Sequence, residues 1–189
     1  MEKQRLVIGM SGASGAPLLI KCLELLQKMP EIETHLIISR GAEETIRQET
    51  TYTVDEIKAM ADVVYDNKNI GAGPASGTFK TMGMLVVPCS MKTVAGIHSG
   101  YSDTLLLRAA DVTIKEQRKL ILVARETPLS QIQLRNLYEL SMVPGVKILP
   151  PMLSYYHIPD TVEEMTAHMA YKILDAVGID CSEFKRWKG

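Results

Sequence analysis

The stretch RLVIGMSGASGA, Arg5 to Ala16, runs from an apolar segment through five residues with almost no side chain into a helical pattern. Leu6, Val7 and Ile8 read as a short buried strand. Ser11, Gly12, Ala13, Ser14 and Gly15 offer little to pack, so something else must come close to their backbone. Pro17 suits the first turn of a helix, where its missing N–H has no partner to lose. A helix N-terminus carries free N–H donors and a partial positive charge, so the ligand this turn invites is an anion, and phosphate is the natural one. Two familiar phosphate signatures do not fit. A P-loop ends in Gly-Lys-Ser/Thr, whereas Gly15 is followed by Ala16 and Pro17; the dinucleotide fingerprint is G-x-G-x-x-G, whereas Gly9, Gly12 and Gly15 lie three apart. A plain strand-to-helix turn that needs small residues stays open at this point.

Further along the chain the same alternation repeats. Apolar runs at 6–10, 35–39, 84–88, 120–124 and 146–149 read as buried strands. Helical patterns fall at 17–29, 41–49, 54–61, 92–97, 104–112, 130–140 and 162–177, the third opened by a capping box of Thr53 and Glu56. This predicts an α/β fold: a three-layer sandwich around a central, mostly parallel sheet, Rossmann-like in plan. Residues 69–79, NIGAGPASGTF, form the one long irregular loop, expected to be mobile or to lie at a subunit contact. In open α/β sheets ligands bind outside the carboxyl ends of the strands. The five segments that follow the strands should therefore meet at one edge, bringing hydroxyls (Ser14, Ser39, Ser90, Thr93), cations (Lys92, Arg125), the carboxylate of Glu126 and the phenols of Tyr155 and Tyr156 together. That set suits a phosphorylated ligand with many hydrogen-bonding groups.

Composition bounds the rest. With 189 residues, 46% of them hydrophobic, the chain is expected to form a single domain, 1–189, with a substantial core. A net charge of -1 argues against nucleic acid as a partner, and no apolar run is long enough to span a membrane. The opening MEKQR leads straight into the first strand without a secretory pattern, which places the protein in the cytoplasm. Three widely spaced cysteines, Cys22, Cys89 and Cys181, fit reduced thiols, and the four histidines have no metal-ligand spacing. Cys89 is expected to be a small buried residue rather than a reactive thiol.

Several long segments, in order, resemble one family. GMSGASGA near the start, PCSMKT from Pro88, LLLRAADVTIKEQRKLILVARETPLS from Leu105, PPMLSYYHIP from Pro150 and RW at Arg186 are similar to the flavin prenyltransferases of the UbiX/Pad type, of the flavoprotein fold. Older descriptions call that family aromatic acid decarboxylases. The resemblance implies an enzyme that moves a dimethylallyl group from dimethylallyl phosphate to N5 and C6 of reduced FMN. It also implies that the product, prenylated FMN, serves a partner decarboxylase of the UbiD type. Metal independence is implied too, since fixed Lys and Arg side chains can stabilise a departing monophosphate. Assembly as a homododecamer, with sites at subunit contacts, belongs to the same picture.

Residue by residue, the resemblance places FMN against Gly12, Ala13, Ser14, Ser39, Ser90, Met91, Lys92, Thr93 and Arg125. It places the prenyl phosphate among Arg108, Lys115, Tyr156 and Lys172, with Trp187 as an aromatic wall for the carbon chain. Glu126, Ser14 and Lys115 are implied as the catalytic set, Glu126 as a proton shuttle. Lys172 stands where the family commonly has arginine, keeping the charge and losing the bidentate fork. One extra residue between RETPLS and PPM leaves Tyr155 and Tyr156 as alternatives for the phosphate phenol. Plainer roles compete with these. Glu126 could be a helix N-terminal acid paired with Arg125, Ser90 and Thr93 could be N-caps, and Lys115 could lie on a solvated face. Two rival activities are a non-catalytic FMN carrier for a decarboxylase, which would need neither Glu126 nor the prenyl-phosphate cations, and an FMN-dependent cysteine decarboxylase, whose PxMN segment is missing here.

Overall fold

In the computed structural model, which describes residues 3–156 and 158–182, six strands form one sheet. They are β1 (Gln4–Met10), β2 (Ile32–Ile38), β3 (Val63–Asp66), β4 (Gly83–Cys89), β5 (Lys119–Ala124) and β6 (Val146–Ile148). The spatial order is β3-β2-β1-β4-β5-β6 and every pairing is parallel. The chain therefore leaves β1 first toward one edge and returns at β4 to build the other. That reversal between β1 and β4 is the switch point at which such sheets hold ligands.

Parallel strands covered on both faces must be apolar throughout, and the central ones are: all seven residues of β4 are buried, and Leu6, Ile8 and Leu36 have no exposed area. Each such side chain contributes about 1.5–3 kcal/mol on leaving water. Helices α1 (Ala16–Leu26), α2 (Arg40–Glu49), α3 (Val54–Lys58) and α7 (Val162–Val177) bury their apolar stripes in one core; α4 (Met91–His98), α5 (Leu105–Lys115) and α6 (Gln131–Ser141) share the other. The three-layer sandwich expected from the sequence is thus present, with a sheet that is wholly parallel. Thr53 and Glu56 form the expected capping box on α3. Among the described residues no helix is long and apolar enough to cross a membrane, and no group of three His, Cys, Asp or Glu side chains is arranged to hold a metal ion.

Two elements differ from the sequence reading. Strand β3 was not expected, because its four residues alternate between half-buried and exposed instead of forming an apolar run. It lies at the sheet edge, where one side faces solvent. Strand β2 begins at Ile32 and stops before Ser39, whose hydroxyl accepts from Ala42 N–H and caps α2. The long loop is pinned at both ends rather than loose. Asn67 accepts from Leu105 N–H with its carbonyl and from Leu106 N–H with its side chain, capping α5, while Arg118 donates to the carbonyls of Gly77 at 2.6 Å and Phe79 at 2.8 Å. All three cysteines are buried and none forms a disulfide among the described residues, and burial pushes the thiols of Cys22 and Cys89 far up, as befits inert core residues.

Candidate active site

The loops that follow the strands are stitched to one another by main-chain hydrogen bonds. Ser39 N–H donates to Met10 O at 3.0 Å, Ser11 N–H to Pro88 O at 3.1 Å, and Arg125 N–H to Cys89 O at 3.1 Å. The buried Ser11 hydroxyl adds two bonds across the switch point, donating to Pro88 O and accepting from Ser90 N–H at 2.8 Å. The carboxyl edge of the sheet is therefore a fixed platform before any ligand arrives.

A cleft of about 560 Å³ opens on this platform. Gly12, Ser39, Ser90, Lys92 and Thr93, five of the residues assigned to FMN from the sequence, line it. So do Arg40, Gly41 and Asn67, which sequence reasoning missed. Helices α2 and α4 both begin there. In each, the N-cap serine satisfies one N–H, Ser39 taking Ala42 and Ser90 taking Thr93, which leaves the earlier first-turn donors of Arg40, Gly41, Met91 and Lys92 without intrahelical partners. Two helix N-termini and two cations, Arg40 and Lys92, thus converge on one concavity, an arrangement that suits a phosphate monoester. Met91, also assigned to FMN from the sequence, is buried in the core and does not line the cleft; its N–H stands at the start of α4.

The turn around the first glycines has a different occupant from the one expected. Gly15 caps α1 with φ 131°, a left-handed conformation that glycine adopts without strain, and the helix has no acid in its first turn. Glu49, at the far end of α2, supplies the missing charge. Its Oε2 accepts from Gly15 N–H at 2.8 Å and Ala16 N–H at 2.9 Å. The α1 N-terminus is consequently filled by the protein's own carboxylate, and the open anion donors are those of α2 and α4. Burial raises the Glu49 carboxyl, but hydrogen bonds from Ser14, Gly15 and Ala16, with the charge of Arg125, outweigh it and hold the group below the usual carboxylate range. Ser14, Glu49 and Arg125 therefore form one polar cluster at the mouth of the platform, of which sequence reasoning missed Glu49.

Because its carboxyl is held low in the folded chain, Glu49 stabilises the protein above the ordinary carboxylate range and loses that contribution as pH falls through its depressed value. Glu49→Gln is expected to cost about 1 kcal/mol near neutrality, a figure kept low because the side chain is only partly buried. The gap in thermal midpoint between wild type and variant should close as pH drops below the ordinary carboxylate range. A gap that widens on acidification would reverse the assignment.

Glu126 does not play the plain role open to it. Helix α6 is capped by Ser130 and Gln133, Glu126 lies in the loop before it, and among the described residues no ion pair joins Glu126 to Arg125. Among these residues its Oε1 accepts only from the next N–H, of Thr127, at 3.0 Å. Ser90 is an N-cap as expected, while buried Thr93 sits one turn in and meets the Ser90 hydroxyl at 3.1 Å.

The residues assigned to the prenyl phosphate are not gathered by one chain. Tyr155 and Tyr156, 65% and 81% exposed, follow β6 at the carboxyl edge, with Arg125 and Glu126 after β5. Arg108 lies in the first turn of α5, bonded to Asp111 at 2.6 Å, and Lys115 at its last turn, at the opposite end of the sheet. Lys172 is on the solvent side of α7, 3.8 Å from Asp175. Each of these three cations carries a carboxylate neighbour. Trp187, Arg186 and His157 lie outside the described residues.

The profile of the Flavoprotein family matches residues 1–177. A probable UbiX-like flavin prenyltransferase of Streptomyces sp. (strain D7) is 49% identical over 185 residues, covering 98% of this chain and 92% of that protein. The crystal structure of AnUbiX (PadA1) in complex with FMN and dimethylallyl pyrophosphate superposes with a TM-score of 0.96 at 45% identity, covering 100% of this chain and 99% of that one. A dodecameric FMN-dependent UbiX-like decarboxylase from Escherichia coli O157:H7 gives 0.95 at 46% identity, covering 98% and 100%.

Proposed function

The chain belongs to the Flavoprotein family, among the UbiX-like flavin prenyltransferases, and from that premise we propose how its own residues divide the work. It is a prenyltransferase: dimethylallyl phosphate and reduced FMN are its substrates and prenylated FMN its product. The flavin phosphate is held by the N-termini of α2 and α4, with Ser39, Arg40, Ser90 and Lys92, and Gly12, Ala13 and Thr93 shape the approach. Ser14, Met91 and Arg125 border the ring.

Transfer breaks the C–O bond of the prenyl phosphate, and phosphate leaves with the electron pair. Lys and Arg side chains stabilise that charge from fixed positions, which is worth most when water is excluded. Closing the new ring then needs a proton delivered to the prenyl chain and another removed from the flavin carbon that becomes bonded. Glu126 gives the first and takes the second, so one carboxyl balances the step.

The observation that carries this reading is the pairing, on one sheet edge, of an anion cleft with Arg125 and Glu126, an acid that folding does not use. A flavin carrier needs only the cleft. Incubation with reduced FMN and dimethylallyl phosphate, with EDTA present, should add one five-carbon unit to the flavin by mass spectrometry. Flavin recovered bound but unmodified would leave the carrier as the better account.

Residues 1–189 act as one flavoprotein domain, in the cytoplasm, and hand prenylated FMN to a UbiD-type decarboxylase. Like the Escherichia coli relative, the chain assembles as a dodecamer; the exposed apolar run of Met152, Leu153, Tyr155, Tyr156, Ile158 and Val162 supports extensive contact between copies. Assembly also brings Arg108, Lys115 and Lys172 to a neighbour's site. Lys172→Ala should raise KM for dimethylallyl phosphate roughly ten- to a hundredfold, the cost of a lost charge-assisted bond, with little change in FMN affinity. An unchanged KM would remove Lys172 from the phosphate site.

A further inference from the structure

Lys115 ends α5, away from the residues that line its own chain's cleft, and its surroundings are closely built. Its ammonium bonds the carboxylate of Glu116, and that carboxylate also lies 3.9 Å from Arg118. Arg118 is anchored in turn, donating to the carbonyls of Gly77 and Phe79. The loop that carries those carbonyls is held from the other side by Phe79, whose ring meets His35 edge-on at 5.2 Å and lies under the Arg5 guanidinium at 4.9 Å. A continuous set of contacts therefore runs from the sheet through the loop and Arg118 to Glu116 and the ammonium of Lys115.

Gly77 is the point where this arrangement is tightest. A Cβ there would overlap Glu116 Oε1 and come within 2.8 Å of Lys115 Nζ. The backbone of Gly77 lies outside the left-handed range, so its smallness answers to those two side chains and not to a turn. The obstructed atoms are the ends of flexible side chains, so a methyl group at residue 77 displaces the ammonium and leaves the main chain where it is.

We propose that Gly77 and Glu116 are positioning residues, which hold the Lys115 ammonium at the place where it meets the prenyl phosphate bound in a neighbouring subunit's site. The inference rests on the reading of Lys115 as a phosphate ligand. It explains why a residue on a charged, exposed helix end is fixed from two sides. It also assigns a function to the loop at residues 76–78, which the flavin cleft does not use.

The test measures KM for dimethylallyl phosphate, KM for reduced FMN and kcat in Lys115→Ala, Gly77→Ala and Glu116→Asp, and in the two doubles with Lys115→Ala. Glu116→Asp keeps the charge and withdraws the carboxylate by one methylene, so it acts through placement alone. Gly77→Ala and Glu116→Asp should each raise KM for dimethylallyl phosphate about tenfold, as small misplacements of a binding group do, with KM for FMN unchanged. Neither should add to the effect of Lys115→Ala, because both act through that ammonium. If Lys115→Ala raises KM while the other two match wild type, or if their effects add fully to it, the positioning role is overturned. If Lys115→Ala itself leaves KM unchanged, the phosphate role of Lys115 falls, and the inference with it. Should Gly77→Ala fail to assemble, Glu116→Asp decides between the same outcomes.

Discussion

Glu126→Gln is expected to bind reduced FMN and dimethylallyl phosphate as wild type does and to lose about 10²- to 10⁴-fold in product formation, the usual worth of a positioned acid–base group. The structure makes this a clean experiment. Glu126 is exposed, caps no helix and, among the described residues, hydrogen-bonds only with the neighbouring Thr127 N–H, a bond to oxygen that glutamine can also accept. Among the described residues no ion pair uses its charge, so thermal stability should change by no more than about 0.5 kcal/mol. The loss should fall on kcat, with both KM values near wild type, since the carboxyl acts after the substrates are in place. Consumption of prenyl phosphate without appearance of the ring-closed product would localise the block to proton transfer. Turnover at the wild-type rate would return Glu126 to the surface, and the acid would have to be sought at another carboxylate of the platform, Glu49 first.

What the sequence made legible follows from what each part depends on. The buried strands and the loops after them were readable because parallel strands covered on both sides must be apolar and because ligand sites in such sheets gather at one edge. Ser39 and Ser90 were readable as cleft residues since a serine before a helical run has a local reason to be there. Glu49 was not, because its partners Gly15 and Ala16 are more than thirty residues away and only the tertiary fold brings them together. A hint existed: α1 starts without an acid in its first turn, so its N-terminal charge had to be met from elsewhere. Strand β3 was missed because half-burial at an edge leaves no apolar run to recognise. Arg40 and Asn67 follow strands as the recognised residues do, but nothing local sets Arg40 apart from other charged residues of the chain, and Asn67 follows an edge strand without an apolar run.

Gly12→Val is expected to abolish retention of flavin while the chain still folds and assembles. Gly12 and Gly41 bring the turn after β1 against the first turn of α2: a Cβ on Gly12 would stand 2.9 Å from the carbonyl carbon of Gly41 and 3.0 Å from its oxygen. These are main-chain atoms, so they cannot swing aside as a side-chain end would. Either the β1 turn or the start of α2 must move, and both line the cleft. Alanine already brings this contact, and the branched chain of valine adds two methyl groups at the place where Arg40 and Gly41 offer their N–H donors. Losing the grip of two or three charge-assisted hydrogen bonds, at about 1.5–3 kcal/mol each, is enough to take a cofactor-sized ligand from retained to absent through purification. The strain is confined to one turn at the sheet edge, away from the buried residues of β1 and β4, so far-UV circular dichroism and particle size should match wild type. The measurement is flavin absorbance per chain after reconstitution with FMN. A normal flavin content in a correctly assembled Gly12→Val protein would show that the approach of Gly12 to Gly41 serves the packing of α2 alone, and the phosphate would then have to be held on the α4 side, by Ser90, Lys92 and Thr93.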